Sequence, residues 1–185
     1  KNRIIDLAQK LAQYESTHEN KEDMAECLNF CASFFNDTEV FKITNIKNNE
    51  IESLIITSKK YKPDEVDVLL LGHIDTVPGN KEQFQGTIKD NWLYGRGTLD
   101  MKAFVATSIC LFESFIKNHP DTKLGLLIVS DEELGGKYGA KYIADNKIIE
   151  PKVVLVPDDG ENISQIVSEN KSIMHIDVFA EGIEA

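Results

Sequence analysis

The sequence predicts an α/β domain, three-layered, with a largely parallel mixed sheet flanked by helices. Three observations predict it. Two apolar runs, Val66–Leu71 and Leu124–Val129, have the length of buried strands and no polar alternation. A stretch with helical spacing of apolar residues lies between them, from Ala103 to Phe115. A third apolar run, Val153–Val156, follows a further helical stretch. Strands that alternate with helices pair in parallel, because a parallel connection needs a long crossover.

The elements follow in order. Ile4, Ile5, Leu7, Ala8 and Leu11 recur at helical spacing over residues 4–14, and Met24, Cys27, Leu28, Cys31 and Phe34/Phe35 do so over 19–35. Val40–Ile46 and Ile51–Thr57 are β-rich, with Asn48-Asn49 as a hairpin turn between them. Pro63 marks a polar loop, and Gly72 ends the strand Val66–Leu71. Gly, Pro and polar residues dominate 76–99, apart from short strands near Gly86–Lys89 and Trp92–Tyr94. Asp100 or Thr98 caps the helix that runs through Val105, Ile109, Phe112 and Phe115. Lys137–Asn146 reads as a helix, and Ile173–Phe179 alternates like a strand.

Composition narrows the function. The 185 residues carry a net charge of −11, from 20 Lys and Arg against 31 Asp and Glu. No basic patch is present to neutralise phosphates, so neither a nucleic acid nor an anionic membrane is expected as a partner. No apolar run approaches the ~20 residues of a membrane span. The odd count of three cysteines, Cys27, Cys31 and Cys110, is no disulfide framework and points to a reducing, cytoplasmic setting. Cys27 and Cys31, four apart, read as small buried side chains on one helix face rather than half a metal site. No signal peptide is visible, although the chain starts at Lys1, so a removed leader stays open.

In sheets of this kind, sites form beyond the carboxyl ends of the strands. The reactive residues stand there. Gly72-His73-Ile74-Asp75 follows the first buried run, Ser130-Asp131-Glu132-Glu133 the second and Pro157-Asp158-Asp159 the third. Gly95-Arg96-Gly97-Thr98-Leu99-Asp100 precedes the long helix. Each piece alone has a plain structural reading: a packed histidine, a solvated turn, a helix cap. Together they gather imidazole and carboxylates at one rim, a donor set suited to zinc, cobalt or manganese. Like carboxylates at close range need a cation to stay ionised together. Gly95-x-Gly97 lacks the third glycine of a dinucleotide loop, and Ser130 has no nucleophile elbow around it.

The motifs GHIDTVPG, YGRGTLDMK and SDEELGG, in this order, resemble the M20 family of co-catalytic zinc amidohydrolases. That family holds deacetylases, desuccinylases, aminoacylases, carboxypeptidases and dipeptidases. The resemblance implies a zinc-peptidase-like fold, with residues 1–170 as the first part of the catalytic domain and 171–185 as the start of a lid. It implies His73, Asp100, Glu133 and Asp158 as metal ligands, Asp100 as the bridge between two zinc ions, and a cis peptide after it. It implies Glu132 as general base and Asp75 as the residue that orients His73. Asp159 is the alternative to Asp158, since Val-Pro-Asp-Asp-Gly departs from the family's usual Gly-Glu-Pro-Thr. Ala103 replaces a common glycine, a minor change at a helix start.

The implied function is hydrolysis of an amide bond in an N-acyl amino acid or small peptide. The implied cofactor is zinc, two per full-length chain, with cobalt or manganese as substitutes. The implied assembly is a homodimer through the lid. A last histidine ligand is expected after Ala185, so residues 1–185 alone are expected to be inactive and to keep at most one complete metal site. His18, His119 and His175 are expected at the surface or in packing. The alternative is a non-catalytic, metal-binding scaffold of the same fold. A nucleotide-binding domain is the third reading, disfavoured by glycine spacing and an acidic rim.

Overall fold

The computed structural model describes residues 2–158. The strand expected at Ile173–Phe179, the boundary at 170, His175 and Asp159 lie outside the described residues. Helices α1 (Asn2–Ala12) and α2 (Lys21–Ala32) come first. Strands β1 (Phe41–Asn48), β2 (Ile51–Ser58) and β3 (Val68–His73) follow. A small hairpin, β4 (Thr87–Lys89) and β5 (Trp92–Tyr94), precedes helix α3 (Ala103–Asn118). Strand β6 (Leu124–Val129), helix α4 (Ala140–Asp145) and strand β7 (Val153–Leu155) complete the order.

The main sheet runs β1-β2-β6-β3-β7. β3 pairs in parallel with β6 and β7, while β2 is antiparallel to both β1 and β6. Four of the five strands therefore share one direction, and β2 alone opposes them. The sheet is mixed, because a two-residue turn joins β1 to β2 and only antiparallel strands can be joined so tightly.

Alternation along β6 divides two cores. Leu126 and Ile128 pack with Leu54, Ile56, Leu70 and the apolar stripes of α1, α2 and α3. Leu127 and Val129 pack on the other face with Ile55, Leu69 and Ile143 of α4. Three layers result, with the sheet between the two cores. Phe112 is fully buried at the centre of the first core, edge-on to Phe35 at 5.7 Å and beside Phe41 at 6.2 Å. Phe112→Ala is expected to cost about 3–5 kcal/mol, read as a lower urea midpoint at an unchanged slope.

Several boundaries differ from expectation, each for a local reason. Asn49 and Glu50, not Asn48 and Asn49, take positive φ (47° and 66°) and form the hairpin turn. That pairs Asn48 with Ile51 and keeps Ile55 and Ile56 on opposite faces. Gly72 does not end β3; it pairs with Ile128, and a Cβ there would stand 3.0 Å from Val105 Cγ2 of α3. The glycine lets α3 approach the strand. α4 starts at Ala140 rather than near Lys137, because the Asp131 carboxylate takes the N–H groups of Tyr138 and Gly139 at 2.8 and 3.0 Å. The run Val153–Val156 is half-exposed, since β7 is the last strand on its side of the sheet among the described residues.

Cys27 and Cys31 are buried in the core, and none of the three cysteines is paired. No helix among the described residues is long and apolar enough to cross a membrane.

Candidate metal centre

Parallel register gathers the site. His73 is the last residue of β3 and lies opposite Val129 of β6. Leu70 lies opposite Leu155 of β7, so three further residues on each strand bring His73 and Asp158 level. Glu132 stands three residues beyond Val129, in a short turn Glu132–Leu134.

Asp100 arrives by another route. Residues Thr98–Lys102 form an irregular turn in which Asp100 and Met101 leave helical geometry, and the Asp100–Met101 peptide is cis. Neither expected cap serves α3: Thr98 Oγ1 donates to Gly95 O at 2.9 Å, and Asp100 turns toward His73. The turn enters through Gly97 at φ +76°, where a Cβ would meet Thr76 Cγ2 at 2.6 Å. The two glycines of Gly95-x-Gly97 thus serve shape, not phosphate.

His73 is 1% exposed, and its two ring nitrogens have different duties. Nδ1 donates to the Asp75 backbone oxygen at 3.0 Å, with Asp75 Oδ1 at 3.3 Å. Both are acceptor oxygens, so Nδ1 carries a proton; Nε2 faces the carboxylates and, in metal-free protein, donates to Asp100. Asp100 Oδ1 lies 2.9 Å from Nε2, and Glu132 Oε2 and Asp158 Oδ1 lie 3.8 Å from it. Donor atoms of His73, Glu132 and Asp158 all fall within 4.8 Å of one another. Asp75 does more than touch the ring: its Oδ2 accepts the Glu133 N–H at 2.9 Å, which ties the β3 end to the β6 loop.

Expected site residues thus converge, with one distinction. Glu132 joins His73 and Asp158, whereas Glu133 does not enter that group. Successive residues in so tight a turn point about 120° apart. Burial and Asp100 across the site raise the Glu133 carboxyl. Gly135 and Gly136 follow at φ +86° and +63° and let the loop fold back.

Electrostatics describes a pocket short of positive charge. Burial and the carboxyl of Asp100 push Asp158 up to about 6, against the pull of His73. Burial raises Glu132 and Glu133 as well, and neighbouring carboxylates add to it. Burial by itself would lower His73, but Asp75, Asp158 and Glu132 outweigh it and hold the ring at about 9. Asp158 Oδ1 and Asp75 Oδ1 are buried with no hydrogen-bond partner. An imidazole nitrogen facing carboxylates with orphaned oxygens is a donor set that fits a divalent cation.

A pH dependence follows for protein stripped of metal. His73 has a folded pKa above its ordinary value of about 6.5, so its stabilisation is whole below that pH and is lost as pH rises through about 9. Asp158 adds the same sign between about 4 and 6, since its ionisation is disfavoured in the fold. Chelator-treated protein is therefore expected to melt at lower temperature at pH 9 than at pH 6.5. A His73→Ala variant should show a smaller fall; equal slopes would remove His73 as the cause.

The sequence reading passed over Asp131. It is buried, and its carboxylate closes the loop 131–139 on the N–H groups of Tyr138 and Gly139. A Cβ at position 139 would fall 2.1 Å from Asp131 Oδ1. The pairing of an Asp at a strand end with a glycine eight residues on is the only signal that could have found it.

Comparison with known proteins bears on the same residues. The profile of peptidase family M20/M25/M40 matches residues 69–179, which contain His73, Asp100, Glu132, Glu133 and Asp158. The chain belongs to this M20 family. A succinyl-diaminopimelate desuccinylase of Vesicomyosocius okutanii is 34% identical over 92% of this chain and 47% of its own length. The desuccinylase of Ruthia magnifica is 28% identical over 92% of this chain and 47% of its own length. The chain spans about half the length of these curated M20 relatives. Among solved structures, human carnosine dipeptidase 1 superposes with a TM-score of 0.67 at 14% identity, over 85% of this chain and 38% of that one. An M20 metallo-carboxypeptidase from Sulfolobus solfataricus gives 0.66 at 16% identity, over 85% and 37%. These two share the fold of this chain.

Proposed function

We propose that the protein hydrolyses an amide bond in an N-acyl amino acid or small peptide with the help of bound divalent metal, two zinc ions in the full protein. The observation that carries this is the convergence of His73, Asp100, Glu132 and Asp158 on one point, with a buried Asp158 oxygen left unpartnered. His73, Asp100, Glu133 and Asp158 would hold the metal, with Asp100 beside His73. The chemistry a divalent metal held by these residues would supply is polarisation of a carbonyl and activation of water near neutral pH.

The chain's own residues do the rest. Glu132 accepts the proton of the attacking water at a carboxylate oxygen and hands it to the leaving nitrogen. Its raised pKa suits a group that must act as base and then as acid. Asp75 keeps His73 in the tautomer that leaves Nε2 free, and through the Glu133 N–H it holds two arms of the site in one frame. The resemblance to desuccinylases favours N-succinyl amino acids among the acyl substrates. A cytoplasmic location and a homodimer of the full protein through its lid complete the reading.

The test is metal analysis with an amidase assay. The full-length protein, loaded with zinc, cobalt or manganese, is offered N-succinyl and N-acetyl amino acids and dipeptides. Stoichiometric metal and turnover of one substrate class are expected. Metal without turnover across the panel would favour a non-catalytic metal-binding scaffold instead; no metal would end the reading.

A further inference from the structure

Lys102 is among the largest fully buried side chains of the protein, two residues after Asp100. Its Nζ donates to the Tyr14 carbonyl at 2.8 Å, its one hydrogen-bond partner among the described residues. Water-excluded ammonium groups are rare without a paired carboxylate, because desolvation disfavours the charge. The retained side chain is therefore informative. Its stem crosses Gly97, where a Cβ would lie 3.1 Å from Lys102 Cδ, and its own backbone N–H donates to Gly97 O at 2.7 Å.

Tyr14 belongs to a short loop with a second anchor. Ser16 Oγ donates to Ile74 O at 2.5 Å, and Ser16 O accepts the Thr76 N–H at 3.0 Å. Ile74 lies between His73 and Asp75. One loop, Tyr14–Ser16, thus grips the end of β3 through Ser16 and the turn that bears Asp100 through Lys102. The 2.9 Å approach of Asp100 Oδ1 to His73 Nε2 spans these two gripped segments.

We infer that Lys102 is a positioning residue for the metal centre: its ammonium, held by the Tyr14 carbonyl, sets where Asp100 stands relative to His73. This rests on the metal reading given above. Lys102 touches neither the site's donor atoms nor a substrate; it acts through the backbone of the Asp100 turn. Methionine in its place keeps length and bulk, removes the charge and the hydrogen bond, and frees the turn from the loop.

The test measures cobalt(II) binding by titration, and the visible absorption of the cobalt-loaded protein, for wild type, Lys102→Met and Ser16→Ala. Lys102→Met is expected to melt near the wild-type temperature, since it relieves a buried charge. Its cobalt affinity is expected to fall about 10–100-fold, the range for residues that orient ligands, with an altered absorption band. The band reports ligand geometry, which a merely structural role would leave alone. Ser16→Ala removes the hydroxyl half of the other anchor, keeps the backbone bond to Thr76, and is expected to shift the band in the same direction; it decides the matter if Lys102→Met does not fold. Wild-type affinity and band in either folded variant would overturn the inference. A wild-type protein that takes no cobalt is a different result, and it overturns the metal reading itself.

Discussion

Glu132→Gln is expected to leave metal binding intact and to lower kcat by about 10²–10⁴-fold, the usual contribution of a positioned acid–base group. Glutamine keeps the shape and the hydrogen-bonding oxygen of Glu132 but cannot carry a proton. The geometry makes this substitution unusually informative. Glu132 Oε2 lies 3.8 Å from His73 Nε2, as close as Asp158, and Glu132 belongs to the group of donors that could share an ion. A base needs only to face the attacking water, whereas a ligand must stay on the cation. Calorimetric zinc titration beside steady-state kinetics separates the two. A variant that loses affinity in step with kcat would make Glu132 a ligand and leave the proton carrier to be found elsewhere. KM should change little, because the group acts in the transition state rather than in binding.

His73→Ala is expected to weaken metal binding by more than about 100-fold, beyond the loss seen when only an orienting partner of a ligand is removed. His73 is the one imidazole in the group, and three carboxylates converge on its Nε2. Its removal leaves Glu132 and Asp158 without the ring that holds them down, so these two carboxyl groups should keep their protons to higher pH. Asp75→Asn gives the graded comparison. It leaves the imidazole in place and disturbs its support and the Glu133 N–H bond, for an expected 10–100-fold loss. Metal affinity measured by competition with a chromogenic chelator ranks the three proteins. An unchanged His73→Ala affinity would remove His73 from the ligand set. Thermal melts of stripped protein guard against misfolding as the cause, since the ring is buried at the sheet's end and not in either apolar core.

Much of the site was legible because strand ends are legible. An apolar run of strand length followed by polar residues marks a carboxyl end, and parallel strands bring such ends to one rim. His73, Glu132 and Asp158 were found in that way, and the motifs around Asp100 added the fourth segment. The helix caps were not legible. Thr98 and Asp100 have the composition of cap residues, yet the tertiary partner His73 claims Asp100 and Gly95 claims Thr98. A cap is a local preference of modest strength, and a hydrogen bond between a carboxylate and a buried ring outweighs it.

Local periodicity determined by itself the kinds of element, their order and the two faces of the sheet, because burial of apolar stripes is a short-range pattern that needs no partner to be read. What only the tertiary structure decided was which polar residue meets which. Glu132 and Glu133 are neighbours in sequence and part ways in space through the twist of one tight turn. Lys102 stands at the start of an apolar helix and is buried against the carbonyl of Tyr14, 88 residues away. Hydrogen bonds and charge contacts depend on distances of a few tenths of an ångström between distant segments. Those distances are set by packing, and no spacing along the chain encodes them.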